Sequence, residues 1–182
     1  MSKLVRAMVF AIAVVMIGGE PSSAAGGAGD VKGVGGGWVS FPPATSAKFM
    51  HFSFSAHTGP KGDFGQVQFS ISDDLGTPLD VSATVDCLDT FAVPTAVPTV
   101  RGVAWFSGIV TKVDPPANLF FISPGDRLLF QIVDGGDPSA RPVDDFLIFT
   151  VNGGGDETCK SLPPVVGDAR DVTQGNIVIS TN

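Results

Sequence analysis

Lys48-Phe49-Met50-His51-Phe52-Ser53-Phe54-Ser55-Ala56 decides the fold class. Met50, Phe52, Phe54 and Ala56 occupy one phase of a two-residue period. Phe49, His51, Ser53, Ser55 and the following His57 occupy the other. Successive side chains of a strand point to opposite faces, so this stretch predicts a strand with one apolar and one wet face. Phe64 to Asp73 repeats the pattern, with Val67, Phe69 and Ile71 inward and Gln66, Gln68, Ser70 and Ser72 outward. Leu79 to Cys87 repeats it again, with Leu79, Val81, Ala83, Val85 and Cys87 inward and Asp80, Ser82, Thr84 and Asp86 outward. Gly59-Pro60-Lys61-Gly62-Asp63 and Asp73-Asp74-Leu75-Gly76-Thr77-Pro78 supply the turns, so the three segments read as an antiparallel meander.

Further strands are expected at Arg101–Val113 (interrupted near Gly108, both faces partly apolar), Leu119–Ile122, Arg127–Asp134, Asp145–Val151 and Gly175–Thr181, with Ile177 and Ile179 inward. Ser123-Pro124-Gly125-Asp126, the 135–142 stretch and Asn152-Gly153-Gly154-Gly155-Asp156 separate them. The expectation is an all-β, single-domain antiparallel β-sandwich or small β-barrel of about eight or nine strands. The chain's 14 Phe can fill its core, each buried ring contributing about 1.5–3 kcal/mol. Pro94 and Pro98, in a doubled Ala-Val-Pro-Thr at residues 92–99, forbid a central strand there; an exposed extended loop or a stiff partner-docking segment fits them.

The beginning of the chain reads as an export signal. Lys3 and Arg6 precede the apolar run Ala7–Ile17, Gly18, Gly19 and Pro21 break it, and the small residues Ser22, Ser23, Ala24 and Ala25 follow. The run is shorter than the roughly 20 apolar residues of a bilayer span. A signal peptide over residues 1–25, cut after Ala25 or Ala24, is expected. Removing it takes away Lys3, Arg6 and Glu20, so the mature chain is one unit more negative than the −7 of the whole. Residues 26–37 (GGAGDVKGVGGG) are expected to be a flexible lead-in, with Trp38 the first firm anchor of a β-domain over residues 38–182. A secreted, extracytoplasmic location follows, with no membrane span in the mature chain. The acidic balance argues against nucleic acid, which needs clustered Lys and Arg.

Gly35-Gly36-Gly37-Trp38, Ala47-Lys48-Phe49-Met50-His51-Phe52-Ser53-Phe54 and Gly65-Gln66-Val67-Gln68-Phe69 come in this order. Ala104-Trp105-Phe106-Ser107-Gly108 and Phe130-Gln131-Ile132-Val133-Asp134-Gly135 follow, then Asp144-Asp145-Phe146-Leu147-Ile148 and Gly175-Asn176-Ile177-Val178-Ile179. The series, over roughly residues 34–180, resembles the post-COAP family of bacterial secreted domains. That resemblance implies an all-β exported domain and carries over no activity and no site residues. The Pro-rich 92–99 stretch and the loop around Cys159 depart from it.

Candidate sites are few. Cys87 and Cys159, the two cysteines, lie 72 positions apart, and an oxidising compartment permits a disulfide between them. Asp134, Asp137, Asp144 and Asp145 are candidate calcium ligands, since flexible Gly- and Pro-rich loops bearing carboxylates suit that ion. Turn chemistry explains the same residues without a metal, and no D-x-D-x-D-G pattern is present. No other cofactor is expected. His51 and His57 share a face but stand about 20 Å apart along a strand, too far to share a metal. No G-x-S-x-G turn presents a nucleophile; Trp105-Phe106-Ser107-Gly108 is a near match in mid-strand.

The functional expectation is an exported non-catalytic β-domain, an interaction or accessory module that meets a protein or glycan at the cell surface. A small apolar ligand or glycan held in a barrel or sandwich site is the first alternative. A secreted hydrolase is the second.

Overall fold

A computed structural model describes residues 31–41, 47–73, 78–91, 100–115, 122–136, 145–151, 159–161 and 170–181. Their elements are β1 (Val31–Ser40), β2 (Ala47–His57), β3 (Phe64–Asp73), β4 (Pro78–Phe91), β5 (Gly102–Asp114), β6 (Arg127–Asp134), β7 (Asp145–Val151), β8 (Arg170–Asp171) and β9 (Asn176–Thr181), with a 3-10 turn at Cys159–Ser161. The fold class is all-β. Among the described residues every strand belongs to one antiparallel sheet in the order β8-β7-β6-β5-β4-β3-β2-β1-β9. The first eight strands each lie beside a sequence neighbour, and β9 returns to the outside of β1. The expected signal peptide (residues 1–25), the Pro-rich 92–99 stretch, Asp137 and Asp144 lie outside the described residues.

The sheet curls into a half-barrel that brings its ends toward one another. Val39 of β1 bridges Val172, just after β8. The Trp38 N–H donates to the Gln174 carbonyl at 3.1 Å, and the Thr173 N–H donates to the Trp38 carbonyl at 2.8 Å. At the far side of the curl, the Ile179 side chain of β9 lies over Gly102 of β5.

The inner face is the one the alternation marks. Met50, Phe52, Phe54 and Ala56 of β2, Val67, Phe69 and Ile71 of β3, and Leu79, Val81, Ala83 and Val85 of β4 are all buried in one cluster. Phe106 of β5 and Phe130 of β6 complete its centre. Ring centroids lie 5.0 Å apart for Phe54–Phe106 and 4.7 Å for Phe106–Phe130, both stacked, and Phe69 meets Phe130 edge-on at 6.2 Å. The curl is therefore filled by aromatic rings.

Two expectations change. Residues 31–37, expected within the flexible lead-in, instead belong to β1, paired with β2 on one side and β9 on the other, while residues 26–30 lie outside the described residues. The physical reason is close packing. Gly33, Gly35 and Gly37 fall on one face of β1, and that face meets Phe54, Ile132, Ile177 and Val172. A methyl group at Gly35 would stand 2.9 Å from Phe54 Cε1 and 2.8 Å from the Asn176 carbonyl oxygen. Missing side chains leave room for the ring of Phe54 and for the close approach of β9, a recurring use of glycine inside strands. Thr58 secures the start of β1, its hydroxyl accepting from the Val31 N–H at 2.8 Å and its own N–H donating to the Val31 carbonyl at 2.9 Å. Trp38, expected as an anchor, is a solvent-facing residue of β1.

The second change is at Cys87, expected inward with Val85. The β4–β5 register shifts between Val85 and Cys87, leaving Asp86 as an extra residue. A bulge of one residue exchanges the faces of everything after it. Leu88 thus joins the inner core, and Cys87 joins Trp105, Leu129 and Cys159 in a second buried cluster, with Phe91 at its margin. This second cluster explains why both faces of the β5 sequence are apolar.

Candidate functional site

Strand pairing arranges the outer side chains of β1, β2 and β3 in rows. Lys32, His57 and Phe64 form one row; Val34, Ser55 and Gln66 the next; then Gly36, Ser53 and Gln68; then Trp38, His51 and Ser70; then Ser40, Phe49 and Ser72. On β4, Thr84, Ser82 and Asp80 continue the second, third and fourth rows. Three aromatic side chains of this face remain in water: Trp38 is 43% exposed, Phe49 49% and Phe64 55%.

Both histidines belong to this face, as their spacing predicts, and each lies against an aromatic ring. Trp38 and His51, directly cross-strand, have centroids 4.9 Å apart with planes tilted by 47°. His57 stacks on Phe64, also cross-strand, at 5.1 Å with planes 10° apart. On β2 and β3, Ser53, Ser55, Gln66 and Gln68 separate the two pairs. Phe49 is visible in the sequence as an apolar residue in the polar phase. Phe64, at the start of β3, falls in the same phase as Gln66 and Gln68, which is the signal in the sequence for its exposure.

Cys87 and Cys159 sit at disulfide distance, with α-carbons 5.9 Å apart. That pairing holds the Cys159–Ser161 turn over Trp105 and Leu129. Charged groups ring the covered patch. An Asp63 carboxylate oxygen accepts from the Leu88 N–H at 2.9 Å and lies 4.0 Å from Lys160 Nζ. Burial pushes the Asp89 carboxyl above its ordinary value, while the nearby Lys160 ammonium and the Thr90 backbone draw it down and Asp63 adds a small upward push. At the bulge, Asp86 accepts from Ser107 Oγ at 2.5 Å and from the Arg127 guanidinium at 2.7 Å. Ser107 is fully buried there, so the near match to a nucleophile turn is a structural serine.

Of the four candidate calcium ligands, Asp134 is buried at the end of β6. Its carboxylate accepts backbone N–H groups, from Gly136 at 2.8 Å and Ile179 at 3.0 Å. Asp145 begins β7, opposite Val133 and Asp171. Among the described residues no group of three or more His, Cys, Asp or Glu side chains is placed to hold a metal ion, and no helix is long and apolar enough to cross a membrane. Comparison of the chain with known protein families, with curated proteins and with solved structures returns no match.

Proposed function

We propose that the mature chain is an exported, non-catalytic β-domain that works outside the cytoplasm by binding, and that the solvent face of β1, β2 and β3 is its binding surface. One observation carries this reading. Trp38, Phe49 and Phe64 stay exposed although the opposite face of the same strands already holds a complete aromatic core. Folding does not need them outside, and exposed aromatic groups gathered on one sheet face mark recognition surfaces. The stacked rings of Phe54, Phe106 and Phe130 occupy the interior, which favours a ligand on the outer face over one enclosed in the curl. The leader sequence and a cysteine pair at disulfide distance agree with an extracytoplasmic site of action, as does the resemblance to post-COAP domains.

Fluorescently labelled mature protein applied to cells of the producing organism tests the proposal. Wild type is expected to stain the cell surface. A Trp38→Ala, Phe49→Ala, Phe64→Ala variant with an unchanged melting temperature is expected not to. Equal staining by the two proteins, or none by wild type, would overturn it.

A further inference from the structure

We infer that the ligand of this face is a neutral, extended polysaccharide lying along β2; the inference rests on the binding role proposed above. The arrangement of the face selects the ligand class. Its aromatic groups stand at two stations, Trp38 with His51 and Phe49 at one end, Phe64 with His57 at the other. Six residues of strand, about 20 Å, separate the two histidines. Between them lie the hydroxyls of Ser53 and Ser55 and the amides of Gln66 and Gln68, groups that both donate and accept, with Val34 and Gly36 of β1 beside them. A protein partner calls for the reverse anatomy, an apolar centre enclosed by a polar rim. A chain of sugars offers what this face offers in complement: apolar ring faces for the aromatic stations and hydroxyls in both hydrogen-bonding senses between them.

Charge points the same way. Between the stations no outward residue of β1, β2 or β3 is a Lys, Arg, Asp or Glu. Lys32 lies in the row of Phe64 and Asp80 of β4 in the row of Trp38, with opposite signs, and farther out on β5 Lys112 is paired with Asp114 at 3.8 Å. Polyanions such as nucleic acids or uronic-acid polymers need a basic surface, and this face has none. The two imidazole–aromatic contacts, one tilted and one stacked, also hold their rings in place before any ligand arrives, which lowers the ordering cost of binding.

Native affinity electrophoresis of the mature, oxidised protein tests the inference with three neutral probes (hydroxyethylcellulose, laminarin and soluble starch) and carboxymethylcellulose as the charged comparator. Retardation by at least one neutral probe is expected, with little dependence on salt. Trp38→Ala and Phe64→Ala are each expected to weaken it about tenfold, the scale of truncating an aromatic anchor, with the melting temperature unchanged. Absence of retardation by all three neutral probes, retardation unaffected by both substitutions, or salt-sensitive preference for carboxymethylcellulose would overturn it. Wild-type staining of cells that the triple variant loses, together with no glycan binding, would reject the polysaccharide and leave the binding role standing.

Discussion

The buried carboxylate of Asp134 accepts the N–H of Ile179 at 3.0 Å, tying the end of β6 to the free edge of β9. Its other oxygen accepts from Gly136 at 2.8 Å, and its own carbonyl accepts the Arg101 N–H at 2.7 Å. One residue thus fastens three chain segments where β9 meets β5 and β6 across the curl.

Removing that carboxylate leaves two backbone donors without their acceptor, which costs about 1–3 kcal/mol per buried unsatisfied group. Asp134→Ala should lower the urea midpoint accordingly. Asp134→Asn keeps one acceptor oxygen and should lose less. Equal midpoints for wild type and Asp134→Ala would show that Asp134 does not fasten the curl.

Gly35 tests the packing of β1. Gly35→Ala forces a methyl group against Phe54 and a carbonyl oxygen and should cost about 1–3 kcal/mol, the range for overfilling a packed interior. Gly33→Ala meets the flexible end of Ile132 at 3.1 Å and Phe54 at an ordinary contact distance of 3.6 Å, and should cost less. Equilibrium denaturation gives the order directly; equal costs would contradict it.

These glycines also mark where the sequence is hard to read. The period of two in β2, β3 and the first half of β4 is written in Phe, Val, Ile and Leu, whose burial leaves no ambiguity about face. Gly33, Gly35 and Gly37 have the same period, but a residue without a side chain leaves no hydropathy signal, so a paired strand looks like a linker. The face of Cys87 is hard to read for a different reason. A bulge depends on the register with β5, and nothing local to Val85-Asp86-Cys87 specifies it. The binding face was legible in part: the shared face of His51 and His57 follows from spacing, whereas their aromatic partners come from neighbouring strands.

The cysteine pair closes a loop of 72 residues, worth about 4–5 kcal/mol in the chain-entropy description. Reduction should lower the urea midpoint by a matching amount and loosen the cover over Trp105. Thiol labelling of the unreduced, denatured protein should find no free cysteine; two labelled thiols would contradict the pairing.

Asp89 should make stability depend on pH in the acid range. Its carboxyl is raised in the folded state, so the folded protein binds the proton more tightly than the unfolded chain. The stabilisation from this group is complete below the ordinary value of 3.8 and is lost as pH rises through the raised folded value. Asp89→Asn should remove this dependence and gain stability relative to wild type above that window. Lys160→Ala, which removes the opposing attraction, should raise the Asp89 value further. Thermal melts from acid to neutral pH measure both; a wild-type stability that rises across the window solely because of Asp89 would contradict the sign.

Tryptophan fluorescence puts the binding face itself to the test, because the chain holds two reporters in opposite environments. Trp38 is on the face and 43% exposed, whereas Trp105 is 1% exposed beneath the cysteine-pinned turn. Acrylamide should quench wild type through Trp38 and should barely quench a Trp38→Phe variant. With a saturating soluble envelope extract, wild-type quenching should fall to the level of that variant. If the protein binds the extract while Trp38 stays as open to acrylamide as before, the ligand sits elsewhere and the face formed by β1, β2 and β3 is not the site.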